Sequence, residues 1–399
     1  MPLTISRVLE ALEPSATLAM AAKAKELARA GKKVFDFSVG EPDFPTPQHI
    51  CDAAVAAMRA GHTHYTAASG IVELKQAVAR TYRERHGLEY GAQQVVISNG
   101  AKHSLHNVFT ALCNPGDEVI IPAPYWVSYA ELVKLTGARP VIVETRPADQ
   151  FKLTPTQLQA ATTPRTTILL LCSPSNPTGS LYSPEELGAL ADVVLQRNLS
   201  VVSDEIYERL IYGLHRFASF PTVRPGLQER TVVVSGVSKS YAMTGWRIGW
   251  TLSPPKVAAA MGDLQSQETS NPSSVSQYAA LAALEGPQEC VDKMRGEFAR
   301  RREFVAGRLA AIPNLSRADM AGAFYAFVDI RSYLGRNYAG TRIDNSAQWC
   351  LTLLEQQNVA TVMGSAFGAE GYVRISFATS LETLRAGFDR IEAFLRSAT

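Results

Sequence analysis

The chain has 399 residues, of which 46% are hydrophobic and 19% are charged, and its formal net charge is +2. This length favours two domains, or one large domain with a smaller one attached, and the composition is typical of a soluble globular protein. Acidic and basic residues are mixed along the chain, which argues against nucleic acid or an anionic membrane surface as a partner. We expect no membrane insertion either, because no apolar run approaches the length of a membrane span.

The five cysteines are scattered and include no CxxC pair. They therefore predict neither a disulfide framework nor a zinc or other metal site, and a reducing cytoplasm is the expected location. The first residues lead into helical sequence that carries Lys and Glu, so we expect no signal segment.

Short apolar runs alternate with longer amphipathic stretches between about residues 50 and 285. They predict strands at 94–98, 118–122, 140–144, 166–172, 199–203, 231–235 and 247–252. Several of these runs are apolar on both faces, as is typical of a sheet covered by helices on each side. Helices are predicted at 101–112 and 184–197, the second opened by a capping box of Ser183 and Glu186. This alternation indicates an α/β domain with a largely parallel sheet.

The last hundred or so residues have a different pattern. They predict helices at 293–309 and 381–395 and strands at 323–330 and 372–377, which indicates a smaller α+β domain. We expect the N-terminal forty or so residues to join it. The predicted division is a large domain at 45–285, with 1–44 and 286–399 forming the small domain.

A lysine follows the predicted strand at 231–235, and an arginine comes eight residues later (Lys239 and Arg247). A lysine at a strand end, in a pocket that keeps its amine partly deprotonated, is suited to forming a Schiff base. The arginine offers a rigid fork of donors for a phosphate. Because pyridoxal 5'-phosphate (PLP) is an aldehyde that carries a phosphate, the pair suggests a PLP site. A surface lysine and a structural arginine fit the same spacing.

Polar residues of suitable types follow three other predicted strands, and ligands gather at the carboxyl ends of strands in such sheets. Residues 98–102 lead into a helix whose free N–H groups could hold a phosphate. Asn176 lies among prolines that fix its backbone. Asp204 could pair with a protonated ring nitrogen, and Tyr207 could bind a ring oxygen. Each of these also fits an ordinary turn or helix cap, but their order along the chain is that of a complete PLP site.

The set of motifs resembles the class I aminotransferases, PLP-dependent enzymes of fold type I. The similarity is closest to the bacterial aspartate aminotransferase subgroup that carries Pro-Ser-Ala-Thr near its N-terminus, and it covers nearly the full length. The motifs are Glu13-Pro14-Ser15-Ala16-Thr17, Gly40-Glu41-Pro42-Asp43-Phe44, Tyr65-Thr66 with Gly70, Pro124-Tyr125-Trp126-Val127-Ser128-Tyr129, Asn176-Pro177-Thr178-Gly179, Ser203-Asp204-Glu205-Ile206-Tyr207, Ser238-Lys239 through Gly249, and Val373-Arg374-Ile375-Ser376. The resemblance implies an α/β fold in which a large domain has a mostly parallel central sheet flanked by helices.

The resemblance also implies individual roles around the cofactor. Lys239 forms the Schiff base and moves the proton, with Asp204 and Tyr207 as the other catalytic residues. The residues implied to hold PLP are Gly100, Ala101, Lys102, Trp126, Asn176, Asp204, Tyr207, Lys239, Arg247 and Tyr65. Of these, Tyr65 is implied to reach the phosphate of the neighbouring subunit, so the resemblance implies a homodimer with shared active sites.

For the substrate, the resemblance implies that Arg374 pairs with the α-carboxylate and that Gly40 contributes a backbone contact. The distal carboxylate is implied to meet the residues Lys102, Ser15 and Thr17. Trp126 and Asn176 complete the substrate-binding set. The implied reaction transfers the amino group of L-aspartate to 2-oxoglutarate, giving oxaloacetate and L-glutamate by a ping-pong mechanism.

Two departures from the family pattern, one at Glu13 and one at the phosphate loop, bear on the substrate. Glu13 replaces the lysine that precedes the motif in prephenate-using members, so we expect no strong prephenate activity. Ala101 and His103, in and beside the phosphate loop, could favour aromatic substrates such as tyrosine or phenylalanine.

A PLP-dependent β-lyase shares the same cofactor residues. A DNA-binding regulator fits the sequence poorly, because the first forty or so residues are not strongly basic. A nicotinamide dehydrogenase also fits poorly, because residues 245–249 do not form a GxGxxG motif.

Overall fold

The computed structural model describes residues 3–10, 12–14 and 16–399 of the chain. The strands of these residues are β1 (Phe35–Asp36), β2 (Val95–Ser98), β3 (Glu118–Ala123), β4 (Arg139–Glu144), β5 (Thr166–Cys172), β6 (Ser200–Asp204), β7 (Thr231–Gly236), β8 (Gly249–Leu252), β9 (Ser316–Arg317), β10 (Tyr325–Asp329), β11 (Arg336–Tyr338), β12 (Thr341–Ile343), β13 (Val359–Ala360), β14 (Val362–Met363) and β15 (Tyr372–Ser376). Their helices are α1 (Arg7–Glu10), α2 (Ala16–Arg29), α3 (Gln48–Arg59), α4 (Val72–His86), α5 (Ala101–Leu112), α6 (Ser128–Lys134), α7 (Pro155–Ala161), α8 (Pro184–Gln196), α9 (Pro255–Glu268), α10 (Ser274–Glu285), α11 (Glu289–Ala311), α12 (Ser346–Gln357) and α13 (Leu381–Arg396).

The central sheet has the strand order β2-β8-β7-β6-β5-β3-β4. Neighbouring strands are parallel except at β8, which runs antiparallel to both β2 and β7. The prediction of an α/β fold with a mostly parallel sheet is therefore confirmed. All seven strands predicted for this sheet are present, with ends that differ from the predicted ones by two residues or fewer.

Helices cover both faces of the central sheet because its strands are apolar on both faces. On β5, Ile168 and Leu170 pack in one buried cluster with Phe109 of α5. Leu169, which lies between them, faces the opposite way and packs with Leu190 of α8. Successive side chains of a strand point to opposite faces, so a continuous apolar run must be covered twice.

A second, smaller sheet has the order β14-β15-β10-β9 and is antiparallel throughout. Its core is shared with α11, α12 and α13, and α13 contributes Leu384, Phe388 and Ile391 to that core. The short β1 pairs in parallel with β13, which brings the chain near residue 36 beside the second sheet. Within the described part of the chain, no helix is both long and apolar enough to cross a membrane. The domain boundaries given above stay a prediction.

Two strand ends differ from the sequence prediction in ways that affect the site. Asp204 is the last residue of β6 and does not follow the strand. Arg247 lies outside β8, which begins at Gly249, because its backbone is left-handed with a φ of 56°.

The expected constraint around Asn176 is present as cis peptide bonds before Pro174 and Pro177. The capping box of α8 is also present, with the Ser183 hydroxyl accepting from the N–H of Glu186.

Candidate active site

The predicted cofactor residues meet at one edge of the central sheet. Asn176, Asp204 and Lys239 lie at or just beyond the carboxyl ends of the adjacent strands β5, β6 and β7. The register of β5 and β6 pairs Cys172 with Asp204, so these ends are level. Adjacent parallel strands present their carboxyl ends to the same edge, which explains how residues far apart in sequence form one cleft.

Asp204 is buried at the floor of this cleft. The hydroxyl of Tyr129 donates to its Oδ2 at 2.6 Å, and the N–H of Ile206 donates to its Oδ1 at 3.2 Å. Burial raises the pKa of Asp204 to about 6, and the two hydrogen bonds and the charge of Lys239 oppose that rise. A buried carboxylate held by two donors is suited to pairing with a protonated ring nitrogen.

Lys239 projects from the loop after β7 and is half-buried. Its Nζ donates to the carbonyl oxygen of Gly40 at 2.6 Å. Burial lowers the pKa of Lys239 to about 8, Glu41 and Asp204 oppose this shift, and Arg374 and Arg247 reinforce it. An amine with this pKa is partly neutral near physiological pH, as the attack on an aldehyde requires.

Arg374 is a buried cation that no carboxylate of the described residues contacts. Its side chain is 1% exposed. Nη1 donates to Oδ1 of Asn176 at 3.0 Å, and Nη2 donates to the carbonyl oxygen of Ser38 at 2.6 Å. Its Nε is buried and has no hydrogen-bond partner in the described residues. Burial lowers the pKa of Arg374, and nearby Tyr325, Tyr207 and Asp36 oppose that shift. A buried guanidinium without an anion is suited to binding a carboxylate from outside.

The start of α5 forms a cradle for an anion. Gly100 has a φ of 85°, and the N–H groups of Ala101 and Lys102 have no carbonyl partner in the described chain. Arg247 lies against this turn, and among the described residues its Nη1 and Nη2 donate to two backbone carbonyls, at 2.9 and 3.4 Å. Free N–H groups at a helix start beside a guanidinium are suited to a phosphate.

Lys102, which belongs to this turn, lies beside Trp126. The Nζ of Lys102 lies 5.0 Å from the centroid of the Trp126 ring. It has no carboxylate partner among the described residues, and burial and Arg247 lower its pKa. Thr17 has a buried hydroxyl that has no hydrogen-bond partner among the described residues. Ser15 lies outside the described residues. Tyr65 is 89% exposed and is not part of the cleft within this subunit.

Three residues of the site were not given roles from the sequence. Tyr129 bonds to Asp204, Tyr325 bonds to Tyr207, and Gly249 packs against the α5 turn. Tyr129 and Gly249 belong to motifs that carry the family resemblance, which is the only sequence signal for them. Tyr325 had none, because its contacts come from the second sheet.

The residues present fit PLP. The cradle at Gly100 leaves donors for a phosphate, Asp204 provides a buried acid for the ring nitrogen, and Lys239 provides a partly neutral amine for the aldehyde. The Nδ2 of Asn176 has no hydrogen-bond partner in the described chain and is free to donate to a ring oxygen. A phosphate cradle, an acid and an amine at one sheet edge define a PLP-dependent enzyme.

Comparison with known proteins identifies the family. Residues 32–391 match the model of the family described as aminotransferase class I and II. The chain is 47% identical to an aspartate aminotransferase of Geobacillus stearothermophilus, over 98% of this chain and 99% of that protein. It is 46% identical to an aspartate/prephenate aminotransferase of Cereibacter sphaeroides, over 98% of each. The crystal structure of the aspartate aminotransferase from Rhizobium meliloti matches it with a TM-score of 0.96 at 40% identity, covering 100% of both chains. The chain therefore belongs to the class I and II aminotransferases, which are PLP-dependent.

The lowered pKa of Lys239 predicts how the PLP-free protein takes up PLP. Only the neutral amine attacks the aldehyde, and its fraction rises with pH up to the pKa of about 8. Below that value we expect the uptake rate, followed by absorbance in a stopped-flow instrument, to rise roughly tenfold per pH unit and to level off above it. Lys239→Ala, which lacks the amine, is the control for non-covalent binding. A rate that still climbs at about pH 10 would show that the amine titrates at its ordinary value.

The contact of Gly249 with the α5 turn predicts a loss of PLP affinity in Gly249→Ala. A methyl group there would lie 2.6 Å from the carbonyl carbon of Gly100 and 2.8 Å from the Cα of Ala101, so the turn must shift. Overpacking of this kind costs about 1–3 kcal/mol, and we expect the Kd for PLP to rise by roughly tenfold or more. Gly245→Ala is the matched control, because nothing lies within 4 Å of a methyl group at that position. Equal PLP affinities in the two variants would contradict our assignment of the α5 turn as the phosphate-binding site.

Proposed function

We propose that this aminotransferase transfers the amino group of L-aspartate to 2-oxoglutarate, giving oxaloacetate and L-glutamate by a ping-pong mechanism. The observation that carries the proposal is a pair of cations without carboxylate partners among the described residues, Arg374 and Lys102. A dicarboxylic substrate supplies an anion for each of them. Relatives named aspartate aminotransferase support the same substrate.

PLP, when bound, supplies an aldehyde that accepts the amino group and a ring that withdraws electrons from the substrate. We infer that Lys239 moves the proton at the substrate α-carbon, since its amine has the lowered pKa that a base requires. Asp204 would hold the ring nitrogen in its protonated state, with its carboxylate oriented by Tyr129. Arg374 would fix the α-carboxylate, and Gly40 would approach it through its backbone.

The position of His103 argues against an aromatic preference. Its Nδ1 accepts the N–H of Asn99 at 3.2 Å, and its other nitrogen lies 3.6 Å from Glu268. These contacts hold the ring beside the α5 turn, where it supports the cradle instead of widening a side-chain pocket. Weak use of prephenate stays a prediction, which the presence of Glu13 supports and the relatives named aspartate/prephenate aminotransferase oppose.

Half-reactions with single amino acids test the substrate. We expect aspartate and glutamate to convert the bound cofactor rapidly to its pyridoxamine form, and tyrosine and phenylalanine to do so slowly, because only the first pair neutralises both cations. The measurement is the absorbance of the PLP-loaded enzyme after mixing, with no 2-oxo acid present. A fast response to the aromatic amino acids would favour an aromatic or mixed enzyme. A release of pyruvate and ammonia from a β-substituted amino acid, without any pyridoxamine form, would favour the lyase.

Lys102→Met sharpens this test, because the methionine keeps an apolar chain against Trp126 and removes only the charge. A hydrogen bond to a charged group contributes about 1.5–3 kcal/mol, so we expect the apparent affinity for aspartate to fall by roughly ten- to a hundredfold. The response to phenylalanine should stay nearly constant. If both substrates suffer equally, Lys102 acts through its contact with the Trp126 ring or through the cofactor, and our account of the distal carboxylate is wrong.

We further propose a cytoplasmic homodimer with shared active sites and the domain division 45–285 with 1–44 and 286–399. Tyr65 supports the dimer, because a large aromatic side chain that is 89% exposed has no role in its own cleft. Met58 and Val55 on nearby α3 are also exposed, at 50% and 39%. All five cysteines are unpaired, which supports a reducing compartment.

Subunit mixing tests the shared site. Tyr65→Ala and Lys239→Ala are each expected to impair or abolish activity as pure dimers. In a mixed dimer, one site combines an intact Lys239 with the intact Tyr65 of the other chain, so we expect refolded mixtures to regain activity. The regain should approach a quarter of wild-type activity for an equal mixture, because half the dimers are mixed and each has one intact site. If the activity of the mixture does not exceed that of pure Tyr65→Ala dimers, Tyr65 acts in the site of its own subunit or in no site.

A further inference from the structure

Tyr325 makes a second link between two parts of the site, beside the direct hydrogen bond from Arg374 Nη1 to Oδ1 of Asn176. It is the first residue of β10, in the second sheet, and its side chain is fully buried. Its hydroxyl lies 2.8 Å from the hydroxyl of Tyr207. The guanidinium of Arg374 stacks on its ring, 4.5 Å from the ring centroid. One side chain thus contacts both the tyrosine assigned to the cofactor ring and the arginine assigned to the substrate carboxylate.

The packing around Tyr325 holds its hydroxyl in place. The ring meets that of Tyr207 edge-on at 5.9 Å and that of Phe324 at 4.7 Å. A methyl group built on Gly40 would lie 3.1 Å from the Tyr325 hydroxyl and 3.9 Å from Arg374 Nη1, so the backbone turn at Gly40 closes over the pair. The carbonyl of this same Gly40 accepts from Lys239. These contacts leave the Tyr325 hydroxyl little room to reach another hydrogen-bond partner.

The direction of the Tyr207–Tyr325 hydrogen bond follows from the proposed role of Tyr207. If Tyr207 gives its proton to an oxygen of the cofactor ring, it can only accept from Tyr325. A hydroxyl that accepts a hydrogen bond becomes a stronger donor, because neighbouring hydrogen bonds polarise each other. Burial raises the pKa of both tyrosines, so both hydroxyls keep their protons and the chain of donors stays intact.

The charge of Arg374 acts on the same hydroxyl. A cation over the Tyr325 ring withdraws electron density from it, which makes the Tyr325 O–H a better donor. Cys172 is the other titratable side chain that acts on both tyrosines, and it stays neutral because burial raises its pKa to about 12. When a carboxylate pairs with Arg374, its field on Tyr325 weakens.

We propose that Tyr325 is a positioning residue that couples Arg374 to Tyr207: its hydroxyl strengthens the hydrogen bond from Tyr207 to the cofactor ring oxygen, and its ring makes that bond depend on whether Arg374 holds a carboxylate. The proposal rests on the proposed roles of Tyr207 and Arg374. Its consequence is that Tyr325 carries part of the effect of a bound carboxylate on the proton affinity of the cofactor, beside the direct contact between Arg374 and Asn176.

Tyr325→Phe tests the coupling, because it removes the hydroxyl and keeps the ring under Arg374. The readout is the pH at which the absorbance of the PLP-loaded enzyme changes as the chromophore loses its proton. A hydrogen bond to the ring oxygen stabilises the deprotonated form, so its weakening moves this pH upward. We expect an upward shift of about half a pH unit, smaller than that of Tyr207→Phe. Tyr333→Phe, which removes a tyrosine hydroxyl bonded to Pro313 in the same core, is the matched control and should cause no shift.

A dicarboxylic acid without an amino group, such as succinate, provides the second measurement. It pairs with Arg374 in wild type and should move the titration upward, both directly and through Tyr325. We expect a smaller ligand-induced shift in Tyr325→Phe, and no added effect of Tyr325→Phe when Tyr207→Phe is already present. Equal ligand-induced shifts in wild type and Tyr325→Phe would overturn the proposal.

The test remains decisive if Tyr325→Phe does not fold. Tyr207→Phe alone must then show a reduced succinate-induced shift, because Tyr207 is the proposed receiver, and an unchanged shift would overturn the coupling. Failure of the proposed function is seen separately, as an absent half-reaction of the wild-type enzyme with aspartate. A coupling that fails while that half-reaction is present refutes only the role of Tyr325.

Discussion

The buried charge of Arg374 is the constraint on which the rest of the site depends. An isolated cation in a protein interior is costly unless hydrogen bonds and an opposite charge offset the loss of water. Here the carbonyl of Ser38 and the amide oxygen of Asn176 satisfy two donor groups, and the Tyr325 and Phe367 rings face the guanidinium at 4.5 and 5.1 Å. No carboxylate of the described residues contacts it. The described residues therefore hold a buried cation that is suited to pairing with a carboxylate of a bound ligand.

This constraint also explains why the cleft lies between the two sheets. Arg374 belongs to β15 of the smaller sheet, and its partner Asn176 follows β5 of the central sheet. The Tyr207–Tyr325 pair crosses the same boundary. The residues proposed to hold the cofactor thus come from the central sheet, and the residue proposed to bind the carboxylate comes from the smaller one. A substrate bound to both would tie the two sheets together, so its recognition and the geometry of the cleft are linked.

Much of the central sheet could be predicted from the sequence, because its strands are continuous apolar runs and polar residues follow them. Asn176, Asp204 and Lys239 were found in this way, since parallel strands bring their ends to one edge. Arg374 had no such signal: a lone arginine in an apolar strand suggests a surface position, and only the family resemblance gave it a role. Tyr325 had no sequence signal, because its contacts with Tyr207 and Arg374 form between the sheets and no local pattern encodes them. The left-handed backbone at Arg247 was not predicted either, and with it β8 begins only at Gly249.

At Asp204 and Lys239, two titratable groups of the predicted cofactor site, other interactions oppose the effect of burial on the pKa. Burial favours a neutral acid at Asp204 and a neutral amine at Lys239, and together with the nearby charges and hydrogen bonds it places their pKa values at about 6 and about 8. Near pH 7 the carboxylate therefore keeps its charge and the amine keeps most of its proton, each by a margin of about one pH unit. The Tyr129 hydroxyl stabilises the Asp204 carboxylate and so helps to keep its pKa below pH 7. The charges of Arg374 and Arg247 repel the Lys239 ammonium and so bring its pKa closer to pH 7. The site thus combines an acid that stays charged to bind a ring nitrogen with an amine that gives up its proton easily, and both properties come from the same buried cleft.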